Sequence, residues 1–214
     1  ASITPAGDAT WMFNIAEATG EQYSYYHANG LCFVASRDDP RSGTFYVTRV
    51  DRGAPPYVDY VRSFTTEGTH LQTYDVSAIV DRPRGIAFDG THFWLSGDNH
   101  FVKCDTSFNL VQEYSIPWGT SSGALDYDPS TGYLYSAGLG WAYVVVMDLE
   151  CNAISHQYVN DNYRVGIAIG AVTERDSRTL WVVDNTAIVI EEIEDEYYTP
   201  VEPGSWGAIK AMYR

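Results

Sequence analysis

With 28 acidic against 13 basic residues in 214, the chain carries a formal charge of −15 at pH 7, which repels phosphate backbones and sets nucleic-acid binding aside. Its 17 Tyr, 8 Phe and 6 Trp suit half-buried pleated strands and argue against a disordered chain. No apolar run reaches the length of a membrane span, and the size fits one domain over residues 1–214.

Taken from its start, the chain first offers Trp11-Met12-Phe13-Asn14-Ile15 and Gln22-Tyr23-Ser24-Tyr25, which read as a third and a fourth strand with no first or second before them. From there a pattern repeats. Small residues open successive inner strands at Gly30-Leu31, Gly85-Ile86, Gly123-Ala124, Gly166-Ile167 and Gly207-Ala208, in steps of 55, 38, 43 and 41 residues. That period belongs to propeller blades rather than to helical solenoids, whose units would show a 3.6-residue rhythm. Aromatic-rich second strands follow at Thr44-Phe45-Tyr46-Val47, Phe93-Trp94-Leu95, Tyr133-Leu134-Tyr135 and Leu180-Trp181-Val182-Val183. Third strands are expected from Tyr57 to Val61, Phe101 to Cys104, Tyr143 to Met147 and Ala187 to Ile190. The weaker fourth strands run from Leu71 to Tyr74, Leu110 to Tyr114, Ile154 to Tyr158 and Glu196 to Tyr198. The longer first step reads as an insertion between Glu67 and Ser77. The run Glu191-Glu192-Ile193-Glu194-Asp195-Glu196 reads as a solvated turn between a third and a fourth strand.

Ala208-Ile209-Lys210-Ala211-Met212-Tyr213 is a first strand with nothing after it, so the two ends together would complete one composite blade. The fold expected is an all-β propeller of five blades closed by strands from both termini. Four blades, or an open ring completed by a second copy, are the alternatives. Cys32, Cys104 and Cys151 have no CxxC spacing and no histidine at ligand spacing, and are expected as separate thiols on different blades rather than as a zinc site.

The segment from Arg82 to Leu95, Arg82-Pro83-Arg84-Gly85-Ile86-Ala87-Phe88-Asp89-Gly90-Thr91-His92-Phe93-Trp94-Leu95, followed by Asp105-Thr106-Ser107-Phe108-Asn109-Leu110-Val111, resembles the repeats of NHL-like and related surface-protein β-propellers. Looser copies cover the chain from Gly30 to Pro200. The resemblance implies the fold. Its relatives serve as lactonases, lyases, lectins, signalling scaffolds and virion or cell-surface appendages, so it does not choose among functions. No Trp-Asp dipeptide closes a blade, and Ser36-Arg37-Asp38-Asp39-Pro40 lacks the glycine of a sialidase-type Asp box.

In such a propeller, the loops from a fourth strand to the next first strand and those from second to third strands share one face around the channel. The first set carries Tyr26, His27, Arg82, Arg84, Trp118, Tyr163, Arg164 and Trp206. The second carries Asp51, Asp98, Asn99, Trp141, Asp184 and Asn185. Aromatic plates beside planar hydrogen-bonding groups suit a protein hot spot or a sugar ring, so Trp118, Trp141, Tyr163, Arg164, Trp206, Arg82 and Arg84 are the expected binding residues. Blade packing and turn formation are the competing roles for the same residues. No catalytic set is expected, because the five histidines are scattered and no nucleophile elbow is present. No cofactor is expected either, the alternative being calcium held by Asp51, Asp98 and Asp184. These readings favour a non-enzymatic structural or recognition module on an outer surface, such as a virion component or secreted attachment protein. Its partners would be protein subunits in a homo-oligomer or larger assembly, or a surface glycan. The alternative is a metal-dependent lactonase-like or lyase-like enzyme with its site in the central channel.

Overall fold

The computed structural model describes residues 2–3, 9–10, 18–19, 26–39, 42–51, 58–116, 122–138, 143–158, 164–171, 178–184 and 189–194. Among the described residues, four antiparallel meanders follow one another. The first sheet comprises β3 (Tyr26–Ala35), β4 (Gly43–Asp51), β5 (Val58–Thr65) and β6 (His70–Asp75). The second comprises β7 (Gly85–Phe88), β8 (Phe93–Ser96), β9 (His100–Cys104) and β10 (Leu110–Ser115). The third has β11 (Ser122–Asp128), β12 (Tyr133–Gly138), β13 (Tyr143–Met147) and β14 (Ala153–Tyr158), and the fourth has β15 (Arg164–Ala171), β16 (Arg178–Asp184) and β17 (Val189–Glu194). Two-residue strands β1 (Ser2–Ile3) and β2 (Ala9–Thr10) pair with each other ahead of these sheets.

The glycine spacing locates the inner strands, with Gly30 in β3, Gly85 in β7, Gly123 in β11 and Gly166 in β15, but only Gly85 opens its strand: Gly123 and Gly166 stand second and third in theirs, and Gly30 stands fifth in β3. Backbone pairing sets Ala87 opposite Trp94 and Ala168 opposite Trp181, each two residues after its glycine, so the two tryptophans hold equivalent second-strand positions. The strands expected at Trp11 to Ile15, Gln22 to Tyr25, Glu196 to Tyr198 and Ala208 to Tyr213, and with them the composite blade and Gly207, lie outside the described residues.

Two expectations are corrected. The long first repeat holds no insertion at Glu67 to Ser77, since β6 occupies most of that stretch. Its extra length lies in β3, β4 and β5, of 10, 9 and 8 residues against 4, 4 and 5 in the second sheet, and in longer links. The residues Glu191 to Glu194 are not a turn: they belong to β17 and pair with β16, Glu192 opposite Trp181 and Ile193 opposite Leu180. Strand pairing is made by the backbone, and a strand at a sheet edge tolerates charged residues that guard it.

Alternation along the second sheet divides its side chains between two seams. Ile86, Phe93, Leu95, Val102 and Cys104 join Val61, Val76 and Val80 in the seam with the first sheet. Ala87, Trp94 and Phe101 join Leu125, Leu134, Val145 and Met147 in the seam with the third. Trp94, the bulkiest of these, is fully buried and donates its indole N–H to Asp89 Oδ2 at 2.9 Å, so its one polar atom is satisfied.

Close to the axis, the seams are held by a repeated hydroxyl bridge. Gly30 donates its N–H to Thr48 Oγ1 at 2.7 Å, and Thr48 in turn donates to the carbonyl of Arg84 at 3.3 Å. One sheet further on, Gly85 donates to Ser96 Oγ at 2.7 Å and Ser96 donates to the carbonyl of Gly123 at 2.8 Å. Glycine is required at these places because a Cβ on Gly30 would strike the Arg84 carbonyl, and one on Gly85 would sit 2.5 Å from the Leu125 nitrogen.

Toward the outer edge, one five-residue turn links third to fourth strands three times. Its first residue donates its N–H to the carbonyl of the fifth and accepts at its own carbonyl from the N–H of the fourth, which is left-handed: Gly68 (φ 89°), Phe108 (φ 60°) and Cys151 (φ 59°). Asp105 Oδ1 accepts from the N–H groups of Ser107 and Asn109 while Oδ2 accepts from the Asn109 amide. Asp148 does the same with Glu150 and Asn152. In the first sheet the Thr65 hydroxyl takes that part, accepting from Glu67 and Thr69. The left-handed residue turns its side chain inward, so Phe108 enters one seam and Cys151 the other.

Candidate functional site

The link from β6 to β7 and the short β8–β9 loop meet at one end of the first two sheets, where Asp98 N donates to the Asp81 carbonyl at 3.2 Å. Their side chains form an ionic clamp. Arg84 donates from Nε at 3.2 Å and from Nη2 at 2.9 Å to Asp98 Oδ1, while Arg82 Nη1 lies 3.1 Å from Asp98 Oδ2. Side-chain exposure is 53% for Arg82, 26% for Arg84 and 21% for Asp98, so the clamp is rooted at Arg84 and open at Arg82.

The support beneath it starts with backbone chemistry. Arg82 precedes Pro83, whose ring disfavours right-handed helical backbone at the residue before it, and Arg82 takes the left-handed region at φ 52°. For a side chain of this size that costs about 1 kcal/mol. The buried Asp59 carboxylate holds the strained residue by accepting its N–H at Oδ2, 3.0 Å away. Asp59 N in turn donates to Ser77 Oγ, and Ser77 Oγ donates to Asp75. On the other side the carbonyl of Pro83 accepts from Asn29 Nδ2 at 3.3 Å. The segment Arg82-Pro83-Arg84 is thereby pinned from both sheets. Sequence reasoning chose both arginines and placed Asp98 on the same face, but it missed Asp59, Ser77 and Asn29, which act through backbone atoms of distant residues.

Of the other expected binding residues, Trp118, Trp141, Tyr163 and Trp206 lie outside the described residues. Arg164 is the first residue of β15 and pairs with Asp184, the last of β16. Asp51 closes β4 opposite Tyr26. As expected, Asp51 and Asp184 end second strands, but Asp98 gives both carboxylate oxygens to guanidinium groups. Among the described residues, no three His, Cys, Asp or Glu side chains are grouped to hold a metal ion.

Arg82 presents guanidinium N–H donors in a fixed fork suited to carboxylate or phosphate oxygens. Of the described histidines, His70 Nε2 lies 3.0 Å from Thr73 Oγ1, His100 Nε2 3.4 Å from the Ile79 carbonyl, and His92 Nδ1 3.7 Å from Asp89 Oδ2. The thiols are not activated: burial first, then nearby carboxylates, pushes Cys32, Cys104 and Cys151 up to about 12.

No protein-family model matches the chain, and no curated protein matches it in sequence. Similarity is found among solved structures. A structure of a luciferin-regenerating enzyme aligns with a TM-score of 0.56 at 11% identity, over 86% of this chain and 64% of that one. A nidogen/laminin complex aligns at 0.52 and 14% identity, over 73% of this chain and 56% of that one. A protein of unknown function from Bacteroides caccae aligns at 0.52 and 11%, over 91% of this chain and 74% of that one. The chain thus spans just over half to three quarters of the length of these structures. At such identities the likeness speaks for the fold alone, and together with the glycine-led four-stranded meanders it makes this chain a β-propeller.

Proposed function

We propose that this protein is a non-enzymatic recognition or structural module that holds a partner macromolecule through the loop face carrying Arg82 and Arg84, together with Trp118, Trp141, Tyr163, Arg164 and Trp206. The observation that carries this reading is the strained, cross-braced Arg82. A residue kept in left-handed backbone by a buried carboxylate, with its guanidinium half in water, is built for presentation rather than for stability. The acidic chain makes such a cationic point distinctive, and the charge pairing with Asp98 fixes the fork's direction. The nidogen/laminin structure is an instance of the fold in a protein–protein complex. We place the module on an outer surface, as a virion or secreted component, binding a protein subunit or a glycan.

The test is affinity isolation from native material and a glycan screen, each run with the wild-type chain and with an R82A/R84A pair. One defined partner should be retained by the wild type and lost by the pair, with melting temperatures within a few degrees. Turnover of a lactone or ester that disappears with chelator and survives R82A/R84A would replace this reading with the channel enzyme.

A further inference from the structure

The two arginines of the clamp do not hold Asp98 equally. Arg84 meets Asp98 Oδ1 through two nitrogens, Nε at 3.2 Å and Nη2 at 2.9 Å, and lies mostly covered. Arg82 meets Oδ2 through Nη1 alone, at 3.1 Å, with more than half of its side chain in water. Asp98 therefore stays paired through Arg84 whether or not Arg82 is on it. Lifting Arg82 away costs no more than an exposed ion pair, about 0–1 kcal/mol. The backbone beneath does not share that freedom, since Asp59 holds the Arg82 N–H and Asn29 holds the Pro83 carbonyl. Side-chain rotation alone turns the guanidinium outward, the kind of change that docking surfaces commonly make.

We propose that Asp98 is a built-in stand-in for a partner's carboxylate: on binding, Arg82 passes from Asp98 Oδ2 to a single carboxylate of a partner protein, while Arg84 keeps Asp98. The inference rests on the reading of this face as a recognition surface and supplies its ligand chemistry. The guanidinium fork matches two carboxylate oxygens side by side, a geometry that one nitrogen on Asp98 leaves unused. Charge narrows the ligand further. Asp59 lies beneath Arg82, Asp81 precedes it and donates its carbonyl to the Asp98 N–H, and Asp98 stands between the arginines. Three carboxylates thus surround two guanidinium groups, in a chain of formal charge −15. A phosphate dianion or a run of acidic residues meets more repulsion there than one guanidinium offsets. A lone carboxylate among basic neighbours fits, its own charge on Arg82 and its cationic surroundings toward the acidic chain.

The experiment follows the Nε–H signals of Arg82 and Arg84 by NMR while blocked tripeptides are added to the full chain. Arginine–glutamate–arginine should shift the Arg82 signal more than that of Arg84, and should bind about tenfold tighter than its glutamine counterpart, a ratio equal to about 1.4 kcal/mol. An arginine–arginine–glycine peptide with a free C-terminus tests the other source of a carboxylate, and the tighter of the two identifies it. Asp98→Asn removes the stand-in and should raise affinity for the glutamate peptide severalfold, with the melting temperature within a few degrees. A clamp that is only structural would give unchanged or weaker binding. Arg82→Lys keeps the charge without the fork and should lower affinity severalfold. Equal binding of the glutamate and glutamine peptides, tighter binding of triglutamate or inorganic phosphate, or weaker binding by Asp98→Asn would overturn the proposal. Peptide binding without any partner in affinity isolation would leave the carboxylate site standing and remove the recognition reading, whereas a partner lost with R82A/R84A but indifferent to Asp98→Asn would do the reverse.

Discussion

The two seams flanking the second sheet use one set of backbone devices and fill them differently. Both have a glycine N–H bridged by a strand hydroxyl to the next sheet, and both are capped by a turn with a left-handed residue. The first seam is a stack of rings: Phe108 lies 4.7 Å from Phe93 and 4.6 Å from Tyr74, and Tyr46 lies 4.5 Å from Phe93. The second seats Trp94 against Leu134, Met147 and the small Cys151. The lesson is that the backbone fixes where a seam forms, while the residue in the left-handed position is free to be a plug or a spacer according to the room its neighbours leave.

The largest expected effect comes from a third face. Val47, Arg49 and Phe64 lie on the side of the first sheet turned away from the second, and all three are buried. If the chain's two ends complete a blade there, deleting residues 1–25 should lower the melting temperature by ten degrees or more, as expected for losing several kcal/mol in a domain of this size. An unchanged melting temperature rejects closure through the ends. Next, Phe108→Ala should cost about 3–5 kcal/mol in urea unfolding, against about 1 kcal/mol for Cys151→Ala. Equal losses would break the distinction between plug and spacer.

Ser96→Ala should cost about 1–3 kcal/mol by leaving both the Gly85 N–H and the Gly123 carbonyl buried without their partner. Thr48→Val, at the longer bridge, should cost less, and the reverse order would mean the bridges are not equivalent. Acid provides a milder probe. The amide and N–H of Asn109, with the N–H of Ser107, hold the Asp105 carboxyl below its ordinary value. Its folded pKa being depressed, its contribution is fully present above the unfolded carboxylate value and lost as pH falls through the folded one. Urea midpoints measured from pH 6 downward should therefore fall less steeply for Asp105→Asn than for the wild type, and parallel curves would remove the turn from the acid response. Smallest of all, Arg82→Gly should leave stability within about 1 kcal/mol, since relief of left-handed strain offsets the loss of an exposed ion pair. A larger loss would make Arg82 a structural residue.

What the sequence displayed was periodicity. Glycine spacing located four inner strands, and aromatic enrichment located the second strands with Trp94 and Trp181 in matching register. The left-handed residues Phe108 and Cys151 were hidden because left-handed backbone is signalled by Gly or Asn, and only Gly68 among the three follows that usage. Thr48 and Ser96 looked like ordinary polar ends of strands, since nothing local shows that a hydroxyl will reach a carbonyl in the neighbouring sheet. At the site, both arginines and Asp98 were readable from loop position. Their brace was not, because Asp59 acts on a backbone N–H 23 residues away. Charge misled at Glu191 to Glu194, where backbone pairing outweighed the cue of acidity.

The glycine pairs near the axis have a geometrical consequence. Sheets that meet at Gly30, Gly85 and Gly123 touch backbone to backbone at the hub, while farther out they are separated by whole rings. Each sheet is therefore a wedge whose thin edge has almost no thickness, and the angle it subtends is set by the outer filling alone. A methyl group added at Gly85 would act at the apex, where a small displacement is magnified along the radius and opens every bridge and stack beyond it.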